Sequence, residues 1–244
     1  MKPVTDYHRP VFVSFSGIDG AGKSTQIRNL CSFLNQAGQR VRVLAFWDHV
    51  AFSSRIREWM SLHLFKGDKG AGTPEKPVNR RDKNVQSPYL NAVRCLIYFC
   101  DALRANFLLA RFRKTDWDVV ILDRYLYDEL ANLPSTGRMW RAYSTLVAKL
   151  CPRPEVRFLL DGDPEQARRR KPEYPLEFLK QNRAVYLNLS RWFDLVVIPE
   201  MSEQEVSAWI TQVLVERTRS EIAWGPAALP DRQGRSAGCV RPVS

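Results

Sequence analysis

The chain has 244 residues, 45% of them apolar, which is enough for one large α/β domain or two small ones and excludes disorder throughout. The five cysteines (Cys31, Cys95, Cys100, Cys151, Cys239) form no C-x-x-C pair, and none of the three histidines (His8, His49, His63) meets a cysteine or another histidine at ligand spacing, so a reduced, cytoplasmic protein without a zinc site is expected. No apolar run is long enough to cross a membrane, residues 1–10 lack the apolar core of a signal peptide, and the net charge of +11 suits a phosphate-bearing partner.

Residues 11–25, Val-Phe-Val-Ser-Phe-Ser-Gly-Ile-Asp-Gly-Ala-Gly-Lys-Ser-Thr, read as an apolar strand, a glycine loop and a helix start. Gly17, Gly22, Lys23 and Ser24 fill the pattern G-x-x-x-x-G-K-[ST]. A phosphate chain must lie against bare backbone, so glycines stand where a Cβ would collide, and loop N–H groups with the helix N-terminus supply positive charge. Gly17, Asp19, Gly20, Ala21, Gly22, Lys23, Ser24 and Thr25 are therefore the candidate ATP-binding residues. Lys23 is expected to reach the β- and γ-phosphates, and the Ser24 hydroxyl to hold Mg²⁺. The plainer alternative is a glycine turn that binds nothing.

Thr25 to Ala37 reads as a helix stopped by Gly38, and Val41 to Trp47 as a nearly all-apolar strand of the kind buried on both faces. A short amphipathic helix is expected over 52–65 and a polar loop over 66–87. Tyr89 to Phe112 is a long apolar helix expected to be buried on several sides. Strands are expected at 119–122, 156–160 and 195–198, and helices at 137–150, 164–170, 175–192 and 202–217. The alternation predicts an α/β fold: three layers around a central, mostly parallel five-stranded sheet, the P-loop NTPase arrangement. Residues 1–10 read as an N-terminal extension, 11–217 as the domain with a lid at about 164–175, and 218–244 as a disordered tail.

Ligands of such sheets bind at the carboxyl ends of the strands. Asp123, after four apolar residues, is a candidate Mg²⁺ ligand, with a helix cap as the bland alternative. Arg124 could clamp a second phosphate in a bidentate fork, or be a surface ion pair. The loop holds no arginine, and Arg168, Arg169 and Arg170, followed by Lys171, could supply that charge from a lid or be a solvated helix face. No long basic stripe interleaved with aromatics is present, so nucleic acid is not the expected partner.

Together these residues resemble the thymidylate kinase family of nucleoside monophosphate kinases, over roughly residues 11–217. The segment Phe15 to Gln26 is close to the family's F-x-G-I-D-G-A-G-K-S-T-Q, and Asp123-Arg124-Tyr125 looks like its D-R-[YF] motif. Leu160-Asp161 with the basic segment resembles its lid, Glu177 through Arg183 and Tyr186 the helix after the lid, and Ser202 to Val206 the helix near which the adenine packs. The resemblance implies transfer of the γ-phosphoryl group of ATP, with Mg²⁺, to a deoxynucleotide phosphate. It implies that Asp19 contacts the acceptor's sugar hydroxyl, that Arg124 and Tyr125 lie at the acceptor, and that one or more of Arg168, Arg169 and Arg170 stabilise the transition state. It also makes a homodimer through apolar helix faces such as residues 89–112 a possibility to weigh.

The chain departs from the family in four places. Ser16 replaces the usual Glu, and Phe46-Trp47-Asp48-His49 replaces an Arg-Glu-Pro-Gly loop. Ala102 stands where an arginine normally touches the thymine, leaving Arg104 or Arg94 as substitutes, and the lid runs directly into Lys171-Pro172-Glu173-Tyr174-Pro175. Asp48 supports a rival reading. A phosphate acceptor needs no general base, but a hydroxyl acceptor benefits from a nearby carboxylate, so Asp48 could serve a kinase of a nucleoside or other hydroxyl compound. A nucleic-acid-stimulated ATPase is the third reading.

Overall fold

The computed structural model describes residues 9–46, 88–133 and 137–224. The helix expected at 52–65, the loop at 66–87, Asp48 and the tail beyond Trp224 lie outside the described residues. The strands are β1 (Val11–Ser16), β2 (Val41–Ala45), β3 (Val119–Asp123), β4 (Val156–Asp161) and β5 (Val196–Pro199). The helices are α1 (Lys23–Gln36), α2 (Pro88–Phe112), α3 (Leu126–Leu130), α4 (Arg138–Leu150), α5 (Pro164–Arg170), α6 (Leu176–Phe193) and α7 (Glu203–Arg217).

The strand order is β2-β3-β1-β4-β5, and every pairing is parallel. Parallel strands need crossover helices, which cover both faces and account for the apolar runs. Alternation in β1 divides the core. Val11, Val13 and Phe15 face one cluster with α1 and α7, whereas Phe12 faces the other, with Leu109 of α2, Trp140 of α4 and Leu189 of α6. The three-layer α/β expectation holds.

Four local expectations change. β2 lies at the sheet edge, separated from β1 by β3, and Arg42 and Val43 are exposed. Its apolar sequence suggested burial on both faces, but among the described residues it pairs only with β3. Helix α3 was not expected, because five residues are too few to show a period, and all five are buried. The domain continues past Arg217: Thr218 and Ile222 are buried, and Trp224 lies beside the Phe33 ring. Finally, α2 is not covered all round, since Tyr89, Leu96, Leu103 and Phe107 are exposed.

Candidate active site

The glycine loop joins β1 to α1 and is clamped from the β4 side. Gly17, Gly20 and Gly22 all have positive φ, at 140°, 88° and 90°. A Cβ on Gly17 would stand 2.5 Å from the Leu160 carbonyl oxygen, and one on Gly20 would stand 2.3 Å from that of Ala167. The loop thus touches the end of β4 and the backbone of α5 where no side chain would fit. Ala21, Gly22 and Thr25 line the same side of it, and Ser24 lies exposed on the first turn of α1.

Lys23 folds back under the loop. Its buried ammonium donates to the carbonyls of Gly17 and Ile18 at 2.8 and 2.9 Å. Burial, and then the Arg124 charge, lower its pKa to about 8, against the opposite pull of Asp19, Asp128 and Asp123. The Asp123 carboxyl is pushed up by burial, partly offset by Arg124 and Lys23. Strand pairing sets Asp123 beside Phe15, next to the loop. Among the described residues no group of three or more His, Cys, Asp or Glu side chains forms a metal cage. Mg²⁺ binds through one or two protein oxygens plus phosphates, and the Ser24 hydroxyl and Asp123 carboxylate are oxygen donors of that kind.

Arg124 adopts the left-handed region at φ 70°, uncommon for a bulky residue and costing about 1–2 kcal/mol. Its amide donates to the Phe15 carbonyl at 3.0 Å, and its guanidinium lies between two carboxylates, Asp19 of the loop and Asp128 of α3, the latter at 3.2 Å. Burial opposes the arginine's charge, but Asp128 and Asp19 more than offset it and hold its pKa far above the ordinary value.

Asp128 is the residue sequence reasoning missed. Its Oδ2 accepts from the Ser16 hydroxyl at 2.6 Å and the Tyr125 amide at 3.1 Å, and its Oδ1 from Tyr186 at 2.8 Å and from Arg124. A buried carboxylate is tolerated when its lone pairs are filled in this way. Its sequence signal was the unexpected Ser16, together with an acidic residue three positions after Tyr125.

The other expected site residues divide. Tyr125 belongs to the core: its ring packs edge-on to Phe46 and Tyr127, and its hydroxyl donates to the Pro152 carbonyl at 2.5 Å. A tyrosine that large finds its apolar contacts inside, and its hydroxyl finds a carbonyl there. Ala102 is fully buried, and Arg104, two residues on, is turned to solvent and is not among the residues lining the cavity that holds Asp19 and Arg124. Arg94 is the buried arginine of α2, donating to Asn91 at 2.9 Å.

The lid arginines also point different ways. Arg170 lies with its Nη1 3.5 Å from the Gly20 carbonyl and its Nη2 3.8 Å from Glu200. Arg168 and Arg169 line a separate open pocket with Glu165, Pro172 and Leu176. Behind the lid, Arg183 of α6 forms a two-pronged pair with Asp161 at the end of β4, at 2.5 and 2.8 Å.

Two cavities flank the loop. One, of about 290 Å³, is lined by Ala21, Gly22, Thr25 and Arg170 and walled by apolar Ile198, Met201 and Val206. The other, about 20 Å³, lies between Asp19, Arg124, Asn132 and the α6 residues Phe178 and Asn182.

No protein-family model matches the chain. It is 24% identical over 213 residues to a probable thymidylate kinase of Archaeoglobus fulgidus, covering 84% of this chain and 94% of that protein. It is 28% identical to a probable thymidylate kinase of Sulfurisphaera tokodaii, covering 80% and 90%, and 28% identical to a thymidylate kinase of Bifidobacterium longum, covering 74% and 84%. With a glycine loop, an Asp-Arg-Tyr turn and a run of basic residues at the carboxyl ends of a parallel sheet, the chain is similar over most of its length to thymidylate kinases.

Proposed function

We propose that the chain transfers the γ-phosphoryl group of ATP, with Mg²⁺, to a nucleoside monophosphate, converting dTMP to dTDP. The observation that carries this reading is that one glycine loop lines two cavities, a larger one at Ala21 and Gly22 and a small one at Asp19 that also holds Arg124. A hydrolase needs one nucleotide site, whereas a kinase needs two that converge. The apolar walls Ile198, Met201 and Val206 suit the adenine of the donor. Relatives at 24–28% identity that carry the name thymidylate kinase support the acceptor.

The residues would divide the work as follows. Loop amides cradle the donor phosphates, and the Lys23 ammonium exchanges the carbonyls of Gly17 and Ile18 for phosphate oxygens. Arg124, aimed by Asp19 and Asp128, binds the acceptor phosphate. An acceptor oxygen attacks the γ-phosphorus and ADP leaves, a step that requires no proton transfer from the protein. Arg170, beside the Gly20 carbonyl, neutralises charge on the transferring group. Ser24 and Asp123 would hold Mg²⁺, which supplies further charge neutralisation at the phosphates. Purified protein with ATP, Mg²⁺ and a panel of nucleoside monophosphates should yield dTDP from dTMP. Absence of every diphosphate beside an active control enzyme would overturn the reading.

We further propose a cytoplasmic homodimer. Among the described residues all four cysteines are free and no helix is long and apolar enough to cross a membrane. Leu96 and Leu103 of α2 lie seven residues apart, with Phe107 one turn on, an exposed apolar stripe that a second copy could cover by twofold symmetry. Leu103→Lys should shift a dimer to monomer in light scattering.

A further inference from the structure

Glu200 follows directly on β5 and lines the larger cavity beside Arg170. A carboxylate on the wall of a cavity that takes a polyanion repels that ligand, so its presence calls for a reason. Its contacts supply one. β4 and β5 pair through Asp161 and Pro199, so the residues just past them leave the sheet side by side. There Glu200 Oε2 accepts from the Asp163 backbone amide at 3.1 Å, and its Oε1 lies 3.8 Å from Arg170 Nη2. Asp163 is the N-cap of α5 and Arg170 its last residue, so one carboxylate grips both ends of the helix.

Within α5 the two ends are already linked. The Asp163 carboxylate accepts from the Gln166 amide at 3.0 Å, and Gln166 Oε1 accepts from Arg170 Nη2 at 3.2 Å. The helix also rests on the glycine loop, where Arg170 Nη1 reaches the Gly20 carbonyl. A helix of only about two turns is marginal by itself and takes its position from what holds it. The ion pair to Arg170 is long, and that side chain is 55% exposed, so the pair is worth little alone. The charge-assisted bond to the Asp163 amide is the stronger grip.

We propose that Glu200 is a positioning residue: from the end of β5 it holds both ends of α5 and so aims Arg170 at the phosphates of the donor. This inference rests on the reading of the chain as a nucleoside monophosphate kinase in which Arg170 neutralises charge on the transferring group. Glu200 itself touches no reacting atom. Its negative charge beside the donor is offset because it is spent on the Asp163 amide and the Arg170 guanidinium.

The test is a double-mutant cycle on the full chain with ATP, Mg²⁺ and dTMP, joined to hydrogen exchange of the α5 amides. Glu200→Ala should lower kcat roughly tenfold, as misplacing a catalytic group does, with KM for ATP within about twofold. Glu200→Gln keeps an acceptor for the Asp163 amide and should lose only about threefold. In an Arg170→Ala background, Glu200→Ala should cost less than about twofold more, because the two residues act as a unit. The Asp163 amide should exchange at least about fivefold faster in Glu200→Ala. Additive losses, or a rise in KM for ATP with kcat unchanged, overturn the positioning role. Unchanged exchange overturns the grip on α5 whether or not the chain is a kinase. An unaltered chain that makes no diphosphate from any monophosphate, while exchange still quickens in Glu200→Ala, overturns the kinase reading and leaves the grip standing.

Discussion

The Ser16 hydroxyl donates to the Asp128 carboxylate across 2.6 Å, joining the end of β1 to α3 directly behind the glycine loop. The resembled family carries a glutamate at the position of Ser16. Here the carboxylate comes from α3, and Ser16 becomes its donor. The same Asp128 binds Arg124 and Tyr186, so one buried side chain ties the end of β1, Arg124 and α6 together.

Asp128→Asn keeps the shape and removes the charge. Arg124 loses its second anchor, and one amide face meets donors it cannot accept from. We expect kcat to fall roughly 10- to 100-fold with KM for ATP little changed, and stability to fall by about 1–3 kcal/mol. Ser16→Ala should cost only about 1 kcal/mol. Denaturant melts and steady-state kinetics check both, and wild-type turnover in Asp128→Asn would remove Asp128 from the site.

Lys23 makes activity and stability respond to pH. Its folded pKa of about 8 lies below the unfolded value of 10.5, so the unfolded chain binds the extra proton between those limits. Stability from this group therefore rises as pH climbs from 8 to 10.5, and its penalty is fully present below pH 8. Lys23→Met should stabilise the fold at pH 7 by about 1–3 kcal/mol and lose that advantage by pH 10.5. The variant should also drop turnover roughly 100- to 1,000-fold. In the unaltered chain, kcat/KM for ATP should decline above about pH 8 as the ammonium deprotonates. A flat profile to pH 10 would contradict the assignment.

Gly20 and Gly38 form a matched pair. Both have positive φ, 88° and 76°, but a Cβ on Gly20 would meet the Ala167 oxygen at 2.3 Å while one on Gly38 meets nothing within 4 Å. Gly38→Ala should cost about 1 kcal/mol of strain and leave turnover intact. Gly20→Ala must also push α5 away, and with it Arg170, so turnover should fall at least tenfold, on the order expected for losing a charge at the transferring group. Equal kinetics in the two variants would show that the contact between loop and lid is idle.

The three lid arginines should not be equivalent. Arg170→Ala removes the guanidinium beside Gly20, and kcat should drop roughly 10- to 1,000-fold. Arg168→Ala and Arg169→Ala, which face another pocket, should stay within about threefold. The opposite ranking, measured at saturating ATP, would assign the charge to the other side of α5.

Much of this protein could be read before its structure. The glycine loop announced itself because backbone approach to phosphate restricts residue type at fixed spacing, and the strands because burial on both faces leaves near-continuous apolar runs. Other features left no local trace. The edge position of β2 depends on β3 inserting beside β1, a choice made by strands far apart in sequence. Tyr125 and Arg124 are neighbours in one motif, yet backbone geometry sends one into the core and the other into the site. The same holds along α5, where successive arginines point about 100° apart and only Arg170 reaches the loop.

By itself, then, the amino-acid order determined the chemistry at hand: a phosphate loop, a strand-end carboxylate, an arginine beside it and a basic lid, all set by residue type at short spacing. Only the tertiary structure decided which of these groups meet. Asp19, Arg124, Asp128 and Asn182 come from the loop, the end of β3, α3 and α6, and they converge because parallel strands deliver their carboxyl ends to one side of the sheet. Convergence of that kind is a property of chain packing across more than 150 residues, from Asp19 to Asn182, and no local pattern encodes it.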